Sequence, residues 1–571
     1  MGQRTNSIFP FSSFCVRKAE SELEPPFPPK SFMKSDSRKI IKIEPKNKTK
    51  YVIFFSSPPP PLKNQGFSPK NLHCIIKIMQ YIFNDTRKLD SACCVSYALT
   101  EEIMMENAAM NLERVIRNRH EYKPLADTRK RRVLILCGKG NNGADGYALA
   151  RRIRIDFDVV VFQCGQPESE LCKMQAERAA KCGTRIFDMK DFSLEFLQFS
   201  GVVVDCIYGS GFHGELGTKI QCITNDVNDI DCFRISCDVP SGIDSCGNAS
   251  KGTFVADVTV TMGALKMSLF SDRAKDFVGK IVCGDLGVGR RLFENASAGV
   301  MPAAHMLEES DLILPNRNFH YVNKSSFGHA VVASGEKRGA SILSAKAALK
   351  FGAGLVSLVD YGAESNISAI PLQFPELMVS SEIPRKTSAI AFGMGLGDDD
   401  AIGPYFDYLG EHTDIPCVVD ADACLSEQLP TFLESRKGKT VLTPHPKEFK
   451  EILHLCGFGE VSLSECVSDR AKLIEDFCRK FPKIVLLVKG ANTMIGYFDS
   501  HKFKLFVNPV GSPALAKGGS GDVLSGMICA LLSQHYSALD ATLNASLAHA
   551  LAGRKAEKSY GLTPLELIDL I

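Results

Sequence analysis

The sequence predicts an α/β chain made of two three-layer α/β domains in tandem. Three observations lead there. Short runs of valine, isoleucine and leucine, of the kind that fill a buried parallel strand, alternate with stretches of helical period. Several of these runs end in a glycine-rich turn or an aspartate followed by glycines, the arrangement that puts a ligand crevice at the strand ends of an open sheet. The pattern also stops after Gly289 and restarts at Phe327, which sets a domain boundary near residue 295.

Composition agrees with two such domains. A chain of 571 residues is too long for one core. With 45% apolar and 23% charged residues, most of it should be globular. The 67 basic residues nearly balance 65 acidic ones, for a net charge of +2, so no bulk attraction to nucleic acid or an anionic membrane is implied. Twenty cysteines are scattered through apolar segments, as at Cys137, Cys206, Cys237 and Cys529, and no two are spaced C-x-x-C. Reduced, buried thiols account for them better than disulfides or zinc. No apolar run approaches the roughly 20 residues needed to span a bilayer. A cytoplasmic location is the expectation.

Residues 1–78 differ from the rest. They hold 11 of the 28 prolines, with many lysines and serines and no sustained period, so a disordered extension is expected. Met79 immediately precedes the first globular pattern.

From Asp90 an amphipathic helix is expected to run to Ile116, through Met105-Glu106-Asn107-Ala108-Ala109. Arg132 to Cys137 reads as a buried strand. Gly138 to Gly146 reads as a glycine-rich turn, with a helix from Tyr147 to about Ile155. Asn141, Asn142 and Asp145 crowd that turn with side-chain oxygens, which favours a polar ligand or a cation over pyrophosphate alone. Strands follow at Val159 to Cys164, Val202 to Asp205, Phe233 to Asp238 and Asp257 to Thr261. Two of them run into Asp205-Cys-Ile-Tyr-Gly209-Ser-Gly211 and Asp238-Val-Pro-Ser241-Gly242-Ile-Asp244, so Asn142, Asp205, Asp238 and Ser241 should converge at one sheet edge. One carboxylate there would be a routine loop cap; the repetition favours a site.

These four segments together resemble the NAD(P)HX epimerases. The resemblance implies a Rossmann-like fold and a bound potassium ion. Carried over by position, Asn141, Asn142, Gly143, Ala144, Asp145, Gly209, Ser210, Gly211, Phe212, His213, Gly214, Glu215 and Asp238 line the substrate, and Asp238 is catalytic. Asn142, Asp205 and Ser241 ligate the cation, an all-oxygen set suited to a hard alkali ion. That family has glycine where this chain has Ala144; if the position needs φ > 0, alanine strains the loop modestly.

The second half opens with the strand and turn Phe327 to Gly335, a helix Ala340 to Phe351 and a strand Leu355 to Val359. Phe392-Gly-Met-Gly395-Leu-Gly397, Asp420-Ala-Asp422, His445-Pro-Lys-Glu448 and Lys489-Gly490-Ala491-Asn492-Thr493 follow. Near the C-terminus Lys517-Gly-Gly519-Ser520-Gly521-Asp522 leads directly into an apolar helix, bringing exposed backbone N–H groups to a helix N-terminus, which is an anion cradle. An isolated string of this kind reads first as a glycine turn capped by aspartate. The whole set resembles the ribokinase-like, ADP/ATP-dependent NAD(P)HX dehydratases, and the two resemblances in this order look like the bifunctional NAD(P)HX repair family.

The resemblance implies an epimerase domain over 79–295 and a dehydratase domain over 296–571, acting on NADHX and NADPHX with ADP or ATP as co-substrate and Mg2+ beside its phosphates. Asp522 is the expected base and contacts the hydrate. Ala340, Gly395 and His445 complete the substrate contacts, with Gly397 an alternative to Gly395. Lys489, Gly490, Ala491, Asn492, Thr493 and Gly521 bind the nucleotide. Asp420 and Asp422 are read as strand-end residues outside the site. A homo-oligomer is the expected assembly. The competing readings are a ribokinase-superfamily small-molecule kinase with an accessory binding domain, which would release a stable phosphorylated product, and a non-catalytic nucleotide-binding scaffold.

Overall fold

The valine- and isoleucine-rich runs become parallel strands because each is covered by helices on both faces. Val133, Leu134, Ile135, Leu136 and Cys137 are all at most 1% exposed, as a central strand requires. The computed structural model describes residues 79–123, 132–297, 299–361, 373–499 and 502–571; the proline-rich extension expected over residues 1–78 lies outside them.

The first half carries a seven-stranded sheet. Its order is Arg185–Asp188, Asp158–Gln163, Arg132–Cys137, Ser200–Cys206, Phe233–Cys237, Val258–Met262 and Lys280–Gly284, with every pairing parallel. Strand order reverses beside Arg132–Cys137, where a doubly wound sheet opens its crevice.

The second sheet has twelve strands. From one edge they run Met378–Ser380, Leu355–Val359, His329–Ala333, Ala389–Phe392, Cys417–Val419, Thr440–Leu442, Ile484–Val488, Thr493–Asp499, Lys502–Asn508, Ala304–Met306, Gln80–Phe83 and Leu265–Lys266. The first seven are mutually parallel. The last two come from the first half of the sequence. Gln80–Phe83 pairs antiparallel with Ala304–Met306, and Ile82 and Phe83 pair in parallel with Leu265 and Lys266. Sequence continuity changes near 295, but the sheet runs through that point. One core cluster accordingly joins Leu265, Leu269, Phe270 and Ala274 to Phe392, Ile474 and Val488.

Two local expectations need correction. The single helix over Asp90 to Ile116 is two helices, Arg87–Tyr97 and Glu101–Arg117. Ala98 enters the left-handed region at φ 53°, and the Thr100 side chain accepts the Ile103 amide, so a stop and a cap interrupt one apolar period. The segment read as a turn before Tyr147 is already helical, since the helix spans Asn141–Ile153. Ala144 therefore sits fully buried inside a helix, its amide bonded to the Gly140 carbonyl at 3.2 Å. It is not among the residues with positive φ, and no strain arises there. None of the described cysteines is in a disulfide. No described helix is long and apolar enough to cross a membrane.

Candidate active sites

The first site lies at the strand ends of the seven-stranded sheet. Gly138 is required there because a Cβ would run into the Ile207 carbonyl of the neighbouring loop. That closeness brings the Asn141–Ile153 helix against the loop after Ser200–Cys206. Asn142 donates its side-chain N–H to the Tyr208 carbonyl at 2.9 Å. Asp205, completely buried, accepts the Ser241 hydroxyl at 2.6 Å, the Ser241 amide at 2.8 Å and the Ile207 amide at 3.1 Å. Ser241 Oγ in turn accepts the Tyr208 amide at 2.9 Å. Asn142, Asp205 and Ser241 thus meet around one peptide. Burial raises the Asp205 carboxyl to about 6, and these neutral donors only partly offset it. A buried carboxylate served by uncharged groups, ringed with amide, hydroxyl and carbonyl oxygens, fits a monovalent cation.

Asp238 follows strand Phe233–Cys237 in the left-handed region, φ 68°, unusual for a residue with a side chain. Its carboxylate faces the same crevice. Oδ1 accepts Lys266 Nζ at 2.6 Å and the Met262 amide at 3.2 Å, and Oδ2 accepts the Ser210 amide at 3.1 Å. Burial works to raise its pKa, but the Lys266 ammonium, through charge and hydrogen bond, and the two amides hold it below the ordinary carboxylate value. Asp145 goes the other way: burial first, then the charge of Asp238, push it well above its usual range. Two neighbouring carboxyls are driven apart, Asp238 downward and Asp145 upward, the separation on which acid and base roles are built.

The other expected contacts surround this pair unevenly. Gly209 lies close against the pair, since a Cβ would sit tightly at 3.1 Å from Asp238 Oδ2 and 3.3 Å from Asn142 Oδ1. Asn141, Ser210, Gly211, His213, Gly214 and Glu215 are exposed at the mouth, whereas Gly143 is buried beneath it. The Phe212 ring is buried against Tyr208, 5.1 Å between centroids, so it shapes the loop from below.

The second site lies at the strand ends of the parallel part of the twelve-stranded sheet. The helix Ser520–Ser533 starts behind Gly519, whose φ of 90° turns the chain into the first helical turn, where the Ser520 amide donates to the Lys517 carbonyl at 3.2 Å. Asp522 falls in the first turn of that helix, and no hydrogen bond to its side chain occurs among the described residues. The capping reading therefore fails, because Gly519 is the cap. Burial and the nearby charges of Asp420, Asp422 and Glu448 raise Asp522 to about 6 against the opposing pull of Lys489. Lys489 extends from the end of strand Ile484–Val488 and donates to Asp420 Oδ1 at 2.7 Å, while Ser525 donates to Asp420 Oδ2 at 2.6 Å. Burial pulls the ammonium pKa down, but Asp420 and Glu448 more than compensate, so it stays charged. A Cβ on Gly521 would stand 3.0 Å from Lys489 Nζ.

Asp420 and Asp422 were expected outside the site. Asp420 is instead its buried anchor, 1% exposed, and Asp422 accepts the Gly397 amide at 3.1 Å. Gly395, at φ 61°, abuts Ala340: a Cβ there would lie 3.2 Å from the Ala340 methyl. His445 caps the helix Pro446–Leu455, its Nδ1 accepting the Glu448 amide at 3.1 Å and its Nε2 lying 3.3 Å from Glu448 Oε1, with the side chain half exposed. Gly490 and Ala491 are exposed, and Thr493 begins the next strand. Asn492 is 1% exposed with its side chain spent on other protein groups, so only the loop around it is free to meet a ligand. An open cleft of about 530 Å³ lined by Glu336, Arg338, Asp360, Gly397 and Asp398 adjoins the same edge.

With both edges in view, residues 330–571 match the family described as NAD(P)H-hydrate dehydratase, and residues 101–268 match the YjeF-related protein N-terminus. The bifunctional NAD(P)H-hydrate repair enzyme Nnr of Helicobacter pylori is 41% identical over 493 residues, 86% of this chain and 99% of its own length. The chain belongs to the bifunctional NAD(P)H-hydrate repair enzyme family. The Coxiella burnetii relative of the same name is 32% identical over 77% of this chain and 88% of its own. Among solved structures, a Bacillus subtilis ADP/ATP-dependent NAD(P)H-hydrate dehydratase co-crystallized with ATP and Mg2+ is 28% identical, covers 45% of this chain and 91% of its own, and has a TM-score of 0.38.

For a repair-family chain, sequence reasoning missed Lys266, the counter-charge of Asp238, and the place of Asp420, which holds Lys489 and whose negative charge helps raise Asp522. Lys266 lies 28 residues beyond Asp238 in a two-residue strand, and its side chain is 5% exposed. The available signal was a lone lysine in the apolar run after Gly263, which only the fold connects to Asp238.

Proposed function

We propose that residues 79–295 epimerise the hydrated nicotinamide of NADHX or NADPHX, and that residues 296–571 dehydrate the S epimer at the expense of ADP or ATP. The observation that carries this reading is Asp522: a carboxyl with a raised pKa, free of capping duty, at the mouth of a glycine-entered helix and beside the Lys489–Asp420 pair.

In the first half, Asp145, raised by burial and by Asp238, serves as the acid that gives a proton to the departing C6 hydroxyl of the hydrate, and the ring nitrogen supplies the electron pair that replaces the broken C–O bond. Water returns to C6 from either face, and ionised Asp238, held so by Lys266, takes the proton it sheds. Asn142, Asp205 and Ser241 would hold a potassium ion, whose charge would favour the ionised form of Asp205 beside the Tyr208 peptide.

In the second half the amides of Gly519 and Gly521 and the ammonium of Lys489 receive the nucleotide phosphates. Asp522 takes the proton of the substrate hydroxyl as that oxygen bonds to the terminal phosphorus and the bond to the leaving nucleotide phosphate breaks. The original C6–O bond then cleaves, its electron pair leaving with the phosphate while the ring nitrogen supplies a pair to C6, and loss of a C5 proton restores the dihydropyridine. Phosphate leaves where hydroxide would not. Among the described residues no three acids, histidines or cysteines are gathered to hold a metal directly. A magnesium ion would therefore be held by the nucleotide's own phosphates, offsetting the excess of carboxylates at Asp420, Asp422, Glu448 and Asp522. A cytoplasmic location and a homo-oligomeric assembly are also proposed.

The test is to incubate pure S-NADHX with the protein and ADP or ATP and to follow recovery of dihydronicotinamide absorbance, then to repeat with the R epimer. S-hydrate should be repaired only with nucleotide, and R-hydrate at a rate that falls when lithium replaces potassium. Accumulation of a stable phosphorylated product would refute the dehydratase reading.

A further inference from the structure

We propose that the turn Phe270–Lys275 of the first half is the seat of the nucleotide loop Lys489–Thr493, and that Asp272 is a positioning residue for nucleotide-dependent dehydration. The proposal rests on assigning that loop to the nucleotide.

Every hydrogen-bonding group of Asn492 is used, and most are used by that turn. Its backbone amide donates to Asp272 Oδ1 at 2.9 Å. Its side-chain N–H groups donate to the Phe270 and Ser271 carbonyls at 3.0 and 3.3 Å. Its side-chain oxygen accepts Lys275 Nζ at 2.9 Å, and the same ammonium donates to the Pro509 carbonyl at 2.7 Å. The remaining group, the Asn492 carbonyl, accepts Arg470 Nη1 at 3.0 Å. Arg470, 1% exposed, forms an ion pair with Asp272 Oδ2. Arg273 extends the contact by donating to Ser464 at 2.7 Å.

The physical consequence is local and specific. Asp272 neutralises a guanidinium that has no access to water and also holds the peptide that follows Ala491. Removing its charge leaves Arg470 buried and unpaired, and the arginine must shift or draw in water. The shift is transmitted first to the Asn492 carbonyl, and from there to Gly490 and Ala491, the exposed stretch available to a nucleotide. A side chain at Gly490 would collide with Arg470 and Asp272, so the loop has no slack on that side. Nucleotide recognition in the second half is in this way set by residues 270–275 of the first.

The experiment compares the full-length protein with Asp272→Asn, Asp272→Glu and, inside the loop, Ala491→Asp. Displacements of about 1 Å can cost as much as about 100-fold, so Asp272→Asn should raise the nucleotide KM of dehydration about tenfold or more. The KM for S-hydrate and the epimerase rate should stay within about twofold, and Asp272→Glu, which restores the charge, should recover part of the loss. Ala491→Asp sets a negative charge in the exposed loop and should raise the nucleotide KM whatever the seat does. If Ala491→Asp has no effect, the loop assignment falls and the seat with it. If Ala491→Asp acts but Asp272→Asn leaves the nucleotide KM unchanged, or lowers both activities equally at constant KM, the seat alone is overturned.

Discussion

A carboxyl at position 522 costs the folded protein free energy at neutral pH. Its pKa stands at about 6 against 3.8 for a free aspartate, so the native state binds the proton more tightly than the unfolded chain. Stability from this group therefore declines as pH rises from about 4 through about 6. Asp522→Asn removes that cost, and the ligand-free variant should melt at a higher temperature at pH 7.5 than the parent. The same change should slow dehydration by about 10²–10⁴-fold, the usual range for a lost general base, with nucleotide affinity by calorimetry little altered. A lower melting temperature together with a lost activity would identify Asp522 as structural. In the other half, Lys266→Met removes the charge that keeps Asp238 ionised against its burial. The acid limb of the epimerase pH profile should move to higher pH, with part of the activity recovered on the alkaline side. A profile that is scaled down but not displaced would contradict the pairing.

At the scale of elements, the phosphate cradle depends on how closely the helix Ser520–Ser533 can be approached. A Cβ on Gly526 would strike the Ser344 carbonyl of the helix Arg338–Lys350, so the two helices are in backbone contact. Behind the first turn, buried His549 bonds both the hydroxyl and the carbonyl of Ser520, and burial lowers its pKa to about 4, so it is neutral at physiological pH. Gly519 is the most sensitive joint: its φ is 90°, and a Cβ would sit 2.6 Å from Pro564 Cγ and 2.9 Å from Leu343 Cδ1. The left-handed conformation alone costs an alanine about 1–2 kcal/mol. Gly519→Ala should lower urea-unfolding stability by at least that amount and weaken nucleotide binding, while Gly518→Ala, with open space at its Cβ position, should do neither. Equal effects at both positions would argue against a special turn at 519.

At the scale of the whole molecule, two strands of the first half complete the second half's sheet. Ala304–Met306 pairs with Lys502–Asn508 on one side and Gln80–Phe83 on the other, and Leu265–Lys266 closes the edge. The core continues across with it. We expect the full-length protein to unfold in one cooperative calorimetric transition, and residues 296–571 expressed alone to melt lower because the Ala304–Met306 edge and the Asn492 peptide lose their partners. Two resolved transitions in the intact chain, with the upper one matching the isolated half, would show that the shared sheet contributes little.

The sequence by itself determined the class of each half, the positions of most strands and the glycine turns, and the carboxylates Asp205, Asp238 and Asp522. These were legible because strand periodicity, glycine placement and the residues at strand ends are local properties, written within a few positions of one another. The first helix was misread where Ala98 and Thr100 break it, because the apolar period continues across a stop that occupies three residues. Only the tertiary structure decided which charges surround Asp238 and Asp522, the first opposed by Lys266 and the second set beside the Lys489–Asp420 pair. Lys266 reaches Asp238 across 28 residues and Lys489 reaches Asp420 across 69, and no local pattern encodes a pairing whose partners are brought together by the order of strands in a sheet. The same holds for Asp272 and Asn492, 220 residues apart: their contact exists because the two halves share a sheet and a core.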